Sequence, residues 1–113
     1  EGGFGLTTTS ENLQRAIDGE NFEIEQMYPA YIAVAKEQQE KRGLLSFQYA
    51  LEAEKIHSAM FSKAKQYVDQ GEDMELGDVQ ICTICGHTVE GPIPEICPIC
   101  GVTQEHFVTF PEE

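Results

Sequence analysis

The four cysteines restrict this chain more than any other feature, because they stand in two matched units. Cys82-Thr83-Ile84-Cys85-Gly86 is followed, with eleven residues between the inner cysteines, by Cys97-Pro98-Ile99-Cys100-Gly101. Each Cys-x-x-Cys-Gly reads as a turn whose two sulfurs converge while backbone N–H groups point at them, with glycine permitting the positive φ the turn needs. Two such knuckles make a tetrahedral four-thiolate site suited to zinc or iron, and the ligand set alone does not separate the two metals. A pair of disulfides is the other use of four cysteines, but the chain lacks the secretory features that go with it. The segment from Val79 onward is too short for an independent core and is expected to need its metal to fold. His87 and His106 lie near the cysteines and are expected to be turn or surface residues, because four thiolates already fill a tetrahedron.

All four cysteines and four of the five prolines fall in that last stretch, whose apolar pieces, Thr88-Val89 and Phe107-Val108-Thr109-Phe110, read as short strands. The preceding text is different: long, rich in Glu, Gln, Lys and Ala, and helical from Thr9 to about Gln70. Thr9 is the expected N-cap, Glu11 favours the first turn, and Gly71 is the expected stop. The interruption between two helices is expected near Lys41-Arg42-Gly43. The organisation is then a glycine-rich connector (1–8), a helical hairpin (9–71), an acidic linker (72–78) and a metal lobe (79–113). The chain begins at Glu1 rather than at a methionine, as expected of a processed product, a fragment or one piece of a longer protein.

The helices carry charges where their pattern calls for core. In the first, Leu13, Ile17, Glu20, Ile24, Met27, Tyr31 and Val34 recur in steps of four and three, which is one helical face. Glu23 lies one turn beyond Glu20. In the second, Leu44, Phe47, Ala50, Glu54, His57, Phe61, Ala64 and Val68 repeat the pattern. An unpaired buried carboxylate costs several kcal/mol, so these groups need a salt bridge, a solvated groove or a metal. Glu54 and His57 form Glu-x-x-His, the i, i+3 pair by which ferritin-like bundles hold two irons. Taken singly, each residue has a plainer explanation: a solvated helix charge or a satisfied core histidine. The coincidence of all four on inward faces favours metal.

Helices of roughly 45–50 Å and roughly 40 Å, at 1.5 Å per residue, cannot cover their apolar faces as a pair. Two more helices, from another copy or a companion segment, are needed to complete a bundle. Pro29 is expected to bend the first helix and to aim Tyr28 toward the site as a hydrogen-bond or proton donor. Tyr31 and Tyr49 are expected as core or rim aromatics. Acidic residues outnumber basic ones 20 to 7, for a net charge of −13, which argues against nucleic acid and anionic membrane as partners. No apolar run approaches the roughly 20 residues of a membrane helix.

Gly19-Glu20-Asn21-Phe22-Glu23, Met27-Tyr28-Pro29, Glu54-Lys55-Ile56-His57 and the two knuckles, in this order and spacing, closely resemble the rubrerythrin family. The resemblance covers the C-terminal two helices of its ferritin-like four-helix di-iron bundle and its rubredoxin-like tail. It implies a mainly α fold with a small β metal domain, and a non-haem di-iron peroxidase that reduces hydrogen peroxide to water. By that resemblance Glu20 would ligate one iron, Glu23 would ligate according to oxidation state, Glu54 would bridge, and His57 would complete one coordination sphere. Cys82, Cys85, Cys97 and Cys100 would hold a mononuclear iron that relays electrons, with zinc a possible substitute. The family's other glutamate and its second Glu-x-x-His are not in this chain, which therefore carries about half the di-iron ligands. At His87 the family often has an aromatic residue.

The resemblance further implies a homo-oligomer or companion chain, an electron-donating reductase or rubredoxin, and a cytoplasmic setting. The 72–78 linker is expected to fall short of the site in its own subunit, so that the relay serves a neighbour in a head-to-tail association. Two other functions stay open at this stage. One is a ferroxidase or iron-handling bundle; the other is a non-enzymatic helical adaptor with a structural zinc ribbon.

Overall fold

The computed structural model describes residues 7–112. Of the expected connector, therefore, only Thr7 and Thr8 can be described; residues 1–6 lie outside the described part. Helix α1 runs Thr9–Phe22, a five-residue π-helical turn follows at Glu23–Met27, and α2 runs Tyr28–Glu37. Helix α3, Lys41–Asp69, returns antiparallel along both. The N-cap is Thr8 rather than Thr9: its extended backbone lets the hydroxyl accept from the Glu11 N–H at 3.2 Å.

The break between helices lies at Gln38–Glu40, before the expected Lys41-Arg42-Gly43, and Gly43 sits inside the first turn of α3. Gln39 adopts φ 57°, and the Glu40 N–H closes onto the Ala35 carbonyl at 2.9 Å. This is the left-handed helix stop usually made with glycine, here made with glutamine. At the other end of α3 the same device uses the expected Gly71, at φ 73°, with the Glu72 N–H bonded to the Tyr67 carbonyl at 2.9 Å.

The bend expected at Pro29 takes the form of the π turn just before it. A proline ring collides with the carbonyl four residues back, and a widened turn relieves that. The Tyr28 N–H bonds to the Glu23 carbonyl, five residues back. One inserted residue advances the helical face by one position. Beyond the turn the covered positions are accordingly Tyr28, Ile32 and Ala35, whereas Tyr31 and Val34 are exposed. Tyr31 and Val34 thus form the open edge of the seam, with the Tyr31 ring still packed on Phe47 of α3 at 5.3 Å between centroids.

Three short antiparallel strands form the lobe: β1 (Val79–Cys82), β2 (Thr88–Glu90) and β3 (Phe107–Phe110), in the order β2-β1-β3. The register pairs Ile81 with Thr88 and Cys82 with Phe107. Its core is small, consisting of Cys82, Cys85, Cys97 and Phe107, and Tyr49 of α3 packs against it. Buried Gln80 is satisfied, donating to the Gly91 carbonyl and accepting from the Thr109 hydroxyl. His87, expected at a turn or the surface, is instead buried.

The lobe rests on the chain's own α3, where a Cβ at Gly86 would stand 3.7 Å from the Ala53 Cβ. The linker therefore does reach, contrary to the expectation above. From Asp69 back to Ala53 is about 24 Å of helix at 1.5 Å per residue, and nine extended residues span up to about 30 Å.

Candidate metal centres

The first centre grows out of the two knuckles. The Gly86 N–H bonds to the Cys82 carbonyl and the Gly101 N–H to the Cys97 carbonyl, each at 2.9 Å, and both glycines have positive φ. The Cys82 N–H meets the His87 carbonyl at 2.9 Å and the Cys97 N–H meets the Val102 carbonyl at 2.8 Å, so the two turns are built alike. The His87 N–H also points at Cys85 Sγ, 3.4 Å away. Across the knuckles Cys82 Sγ lies 3.7 Å from Cys100 Sγ, and Cys85 Sγ lies 3.6 Å from Cys97 Sγ.

These separations are too long for disulfides. A tetrahedron with metal–sulfur bonds near 2.3 Å has edges of about 3.8 Å, so the thiols stand where a metal would hold them. Burial pushes the Cys85 thiol well up. At Cys97 burial acts the same way but is outweighed by the N–H groups of Cys100 and Ile99, which hold that thiol down at about 7. Thiols as unequal as Cys85 and Cys97 ionise together only when a cation displaces their protons. His87 does not join them, and burial lowers its pKa so that the ring is neutral.

The second centre lies between α1 and α3. Glu20, Glu54 and His57 each offer an atom, and all three atoms lie within 4.8 Å of one another. His57 Nδ1 is 3.5 Å from Glu54 Oε2 and 3.8 Å from Glu20 Oε1. Those gaps exceed a hydrogen bond, so the three groups face a common space rather than pair with each other. Glu20 Oε2 is buried with no hydrogen-bond partner. A buried carboxylate oxygen left bare is costly, and a cation in that space would remove the cost. Oxygen and imidazole donors of this kind suit iron. The Ser58 hydroxyl donates to Asn21 Oδ1 at 2.7 Å, pinning α1 to α3 one residue from both Glu20 and His57.

Glu23 and Tyr28 stand apart from that trio. Glu23 opens the π turn, half-buried, and is not among the three converging donors. Tyr28 packs edge-on to Tyr31, with ring centroids 6.2 Å apart, and tilted against Phe47 at 6.3 Å. Burial, then the Glu23 charge and Tyr31, raise its pKa and keep the phenol protonated.

One contact had no signal in the sequence. His57 Nε2 is 3.0 Å from Thr88 Oγ1, which joins the helical cluster to the cysteine lobe. The two residues are 31 positions apart, and only the docking of the lobe brings them together.

Known proteins resemble this chain in sequence and fold. The rubrerythrin family model matches residues 5–65, and the model of the rubrerythrin rubredoxin-like domain matches residues 80–108. Rubrerythrin-2 of Clostridium acetobutylicum is 47% identical over 107 residues, covering 95% of this chain and 58% of that protein. Nigerythrin of Nitratidesulfovibrio vulgaris is 31% identical over 80 residues, covering 71% of this chain and 38% of that one. A solved structure of nigerythrin in its fully reduced, all-ferrous state superposes with a TM-score of 0.81 at 28% identity, over 94% of this chain and 51% of that chain. The chain thus spans about half the length of the relatives it matches.

Proposed function

The chain belongs to the rubrerythrin family, and on that premise we propose that it contributes half of a di-iron peroxidase together with its electron relay. Iron is the cofactor that family and donor chemistry share. The observation that carries the proposal is the convergence of Glu20, Glu54 and His57 around a bare, buried carboxylate oxygen, with a four-thiolate site docked beside them.

Glu20, Glu54 and His57 would hold iron in the helical pair, and Cys82, Cys85, Cys97 and Cys100 would hold the mononuclear iron. Bound there, iron would supply the one-electron couples that a two-electron reduction of hydrogen peroxide requires. The protein's own part is geometric and protic. Glu20 and Glu54 would neutralise the cations and, as carboxylates, would tolerate a change in coordination. Glu23, one turn on, is free of the trio and available as a ligand in one oxidation state. The Tyr28 phenol stays protonated, the form able to donate a hydrogen bond or a proton as peroxide takes up two protons and two electrons to give two waters. A partner copy or companion segment supplies the remaining donors, and a reductase or rubredoxin supplies electrons. A four-thiolate metal site, rather than disulfides, suits the reducing cytoplasm.

The test is metal analysis with visible spectroscopy, then peroxide turnover with a reduced electron donor. We expect a red, reducible thiolate centre and additional iron in the wild type. Glu54→Ala should abolish peroxide turnover and release that additional iron while leaving the red centre intact. Unchanged turnover in this variant would remove the di-iron assignment, and a colourless zinc protein would leave an adaptor in its place. Iron accumulating after oxidation without peroxide turnover would indicate a ferroxidase.

A further inference from the structure

The link between His57 and Thr88 settles more than the docking of the lobe. Thr88 is buried, and its Oγ1 lies 3.1 Å from the Gly86 carbonyl as well as 3.0 Å from His57 Nε2. A carbonyl can only accept, and a hydroxyl has a single proton to give. Thr88 spends that proton on Gly86, so toward His57 it can only accept. His57 Nε2 must then carry a hydrogen. In the neutral ring this leaves Nδ1 as a bare electron pair, and Nδ1 is the nitrogen that faces Glu20 and Glu54.

We propose that Thr88 is a positioning residue that fixes the ligating form of His57. By accepting from Nε2–H it selects the tautomer whose Nδ1 is ready to bind a cation and orients the ring toward the two carboxylates. The reading rests on the iron site proposed above. It adds that the hold comes from the cysteine lobe, since Thr88 opens β2 and the carbonyl that directs its proton follows Cys85 directly. Partners of this kind orient metal-binding histidines and commonly change metal affinity by about 10–100-fold when removed. The docked knuckle would therefore prepare the helical site as well as serve it.

The test uses the full chain, uniformly 15N-labelled, with its four-cysteine centre loaded with one equivalent of zinc so that the spectra are diamagnetic. Long-range proton–nitrogen correlations at alkaline pH report the tautomer of each histidine, and the His57→Asn variant identifies the signals of interest. Wild type and Thr88→Ser should show the Nε2–H form. Thr88→Val, which keeps the shape but removes the acceptor, should show a mixture. Anaerobic ferrous titration should then find affinity about 10–100-fold weaker in Thr88→Val and restored in Thr88→Ser. A wild-type ring protonated at Nδ1 alone overturns the proposal, as does a Thr88→Val protein with wild-type tautomer and affinity. A tautomer change without ferrous binding in any form would instead count against the iron site, leaving Thr88's hold on the ring standing.

Discussion

A glutamate at a core position of a helix is informative because physics penalises it there. Glu20, Glu54 and His57 could be picked out of the sequence for that reason, and the folded chain gathers their donor atoms within 4.8 Å. Thr88 could not be found the same way. Nothing in Thr-Val-Glu marks one hydroxyl as special, and its partner lies on a separate element. The burial of His87 is hidden for a related reason: exposure in so small a lobe depends on packing that composition does not report. The glycines behind the cysteines were legible, and they support a prediction. At Gly86, φ is +84°, and an added Cβ would meet the Ala53 Cβ at an ordinary 3.7 Å. The cost of Gly86→Ala is therefore conformational, about 1–2 kcal/mol. Denaturant unfolding of the zinc-loaded chain, followed at the lobe, should show that loss; an unchanged midpoint would mean the turn relaxes freely.

Among the elements, the long helices were legible from their spacing and the π turn was not. Apolar steps of four and three fit an unbroken helix equally well, and an inserted residue leaves no composition of its own. Pro29 was its only trace, and it pointed to a bend without saying that the covered face moves by one residue. The helix stop at Gln39 was hidden for a similar reason, since glutamine seldom takes a left-handed backbone. The lobe is the element most exposed to a change of conditions. Its buried core is three cysteines and one phenylalanine, which cannot hold three strands of three or four residues without a cation. Stripping the metal with a strong chelator under reducing conditions should unfold the lobe while most of the helical circular dichroism remains. Hydrogen exchange would show the split directly, with protection lost in β1–β3 and kept in the middle of α3. Full protection in the metal-free strands would contradict this account.

On the scale of the whole molecule, the helical pair leaves an apolar side open. Phe22, Tyr31, Val34 and Leu45 are all exposed, and Tyr31, Val34, Ala35 and Phe47 line an open apolar groove. The donor set is short as well: among the described residues the cluster holds two carboxylates and one imidazole. Both shortfalls are met at once if further helices pack on the open side. Val34→Lys should then weaken assembly at least tenfold, because burying an unpaired ammonium costs several kcal/mol. Sedimentation velocity and iron content on the same samples would measure it, and neither should change if Val34 faces water in the assembled protein.

The open groove also bears on how iron is kept. Where the second pair of helices belongs to a separate polypeptide, the complete nest of ligands exists only while two chains are together. Occupancy then obeys mass action in the protein itself. Dilution would shed the metal much as chelation does, and a cell could set its store of active sites by how much of the chain it makes.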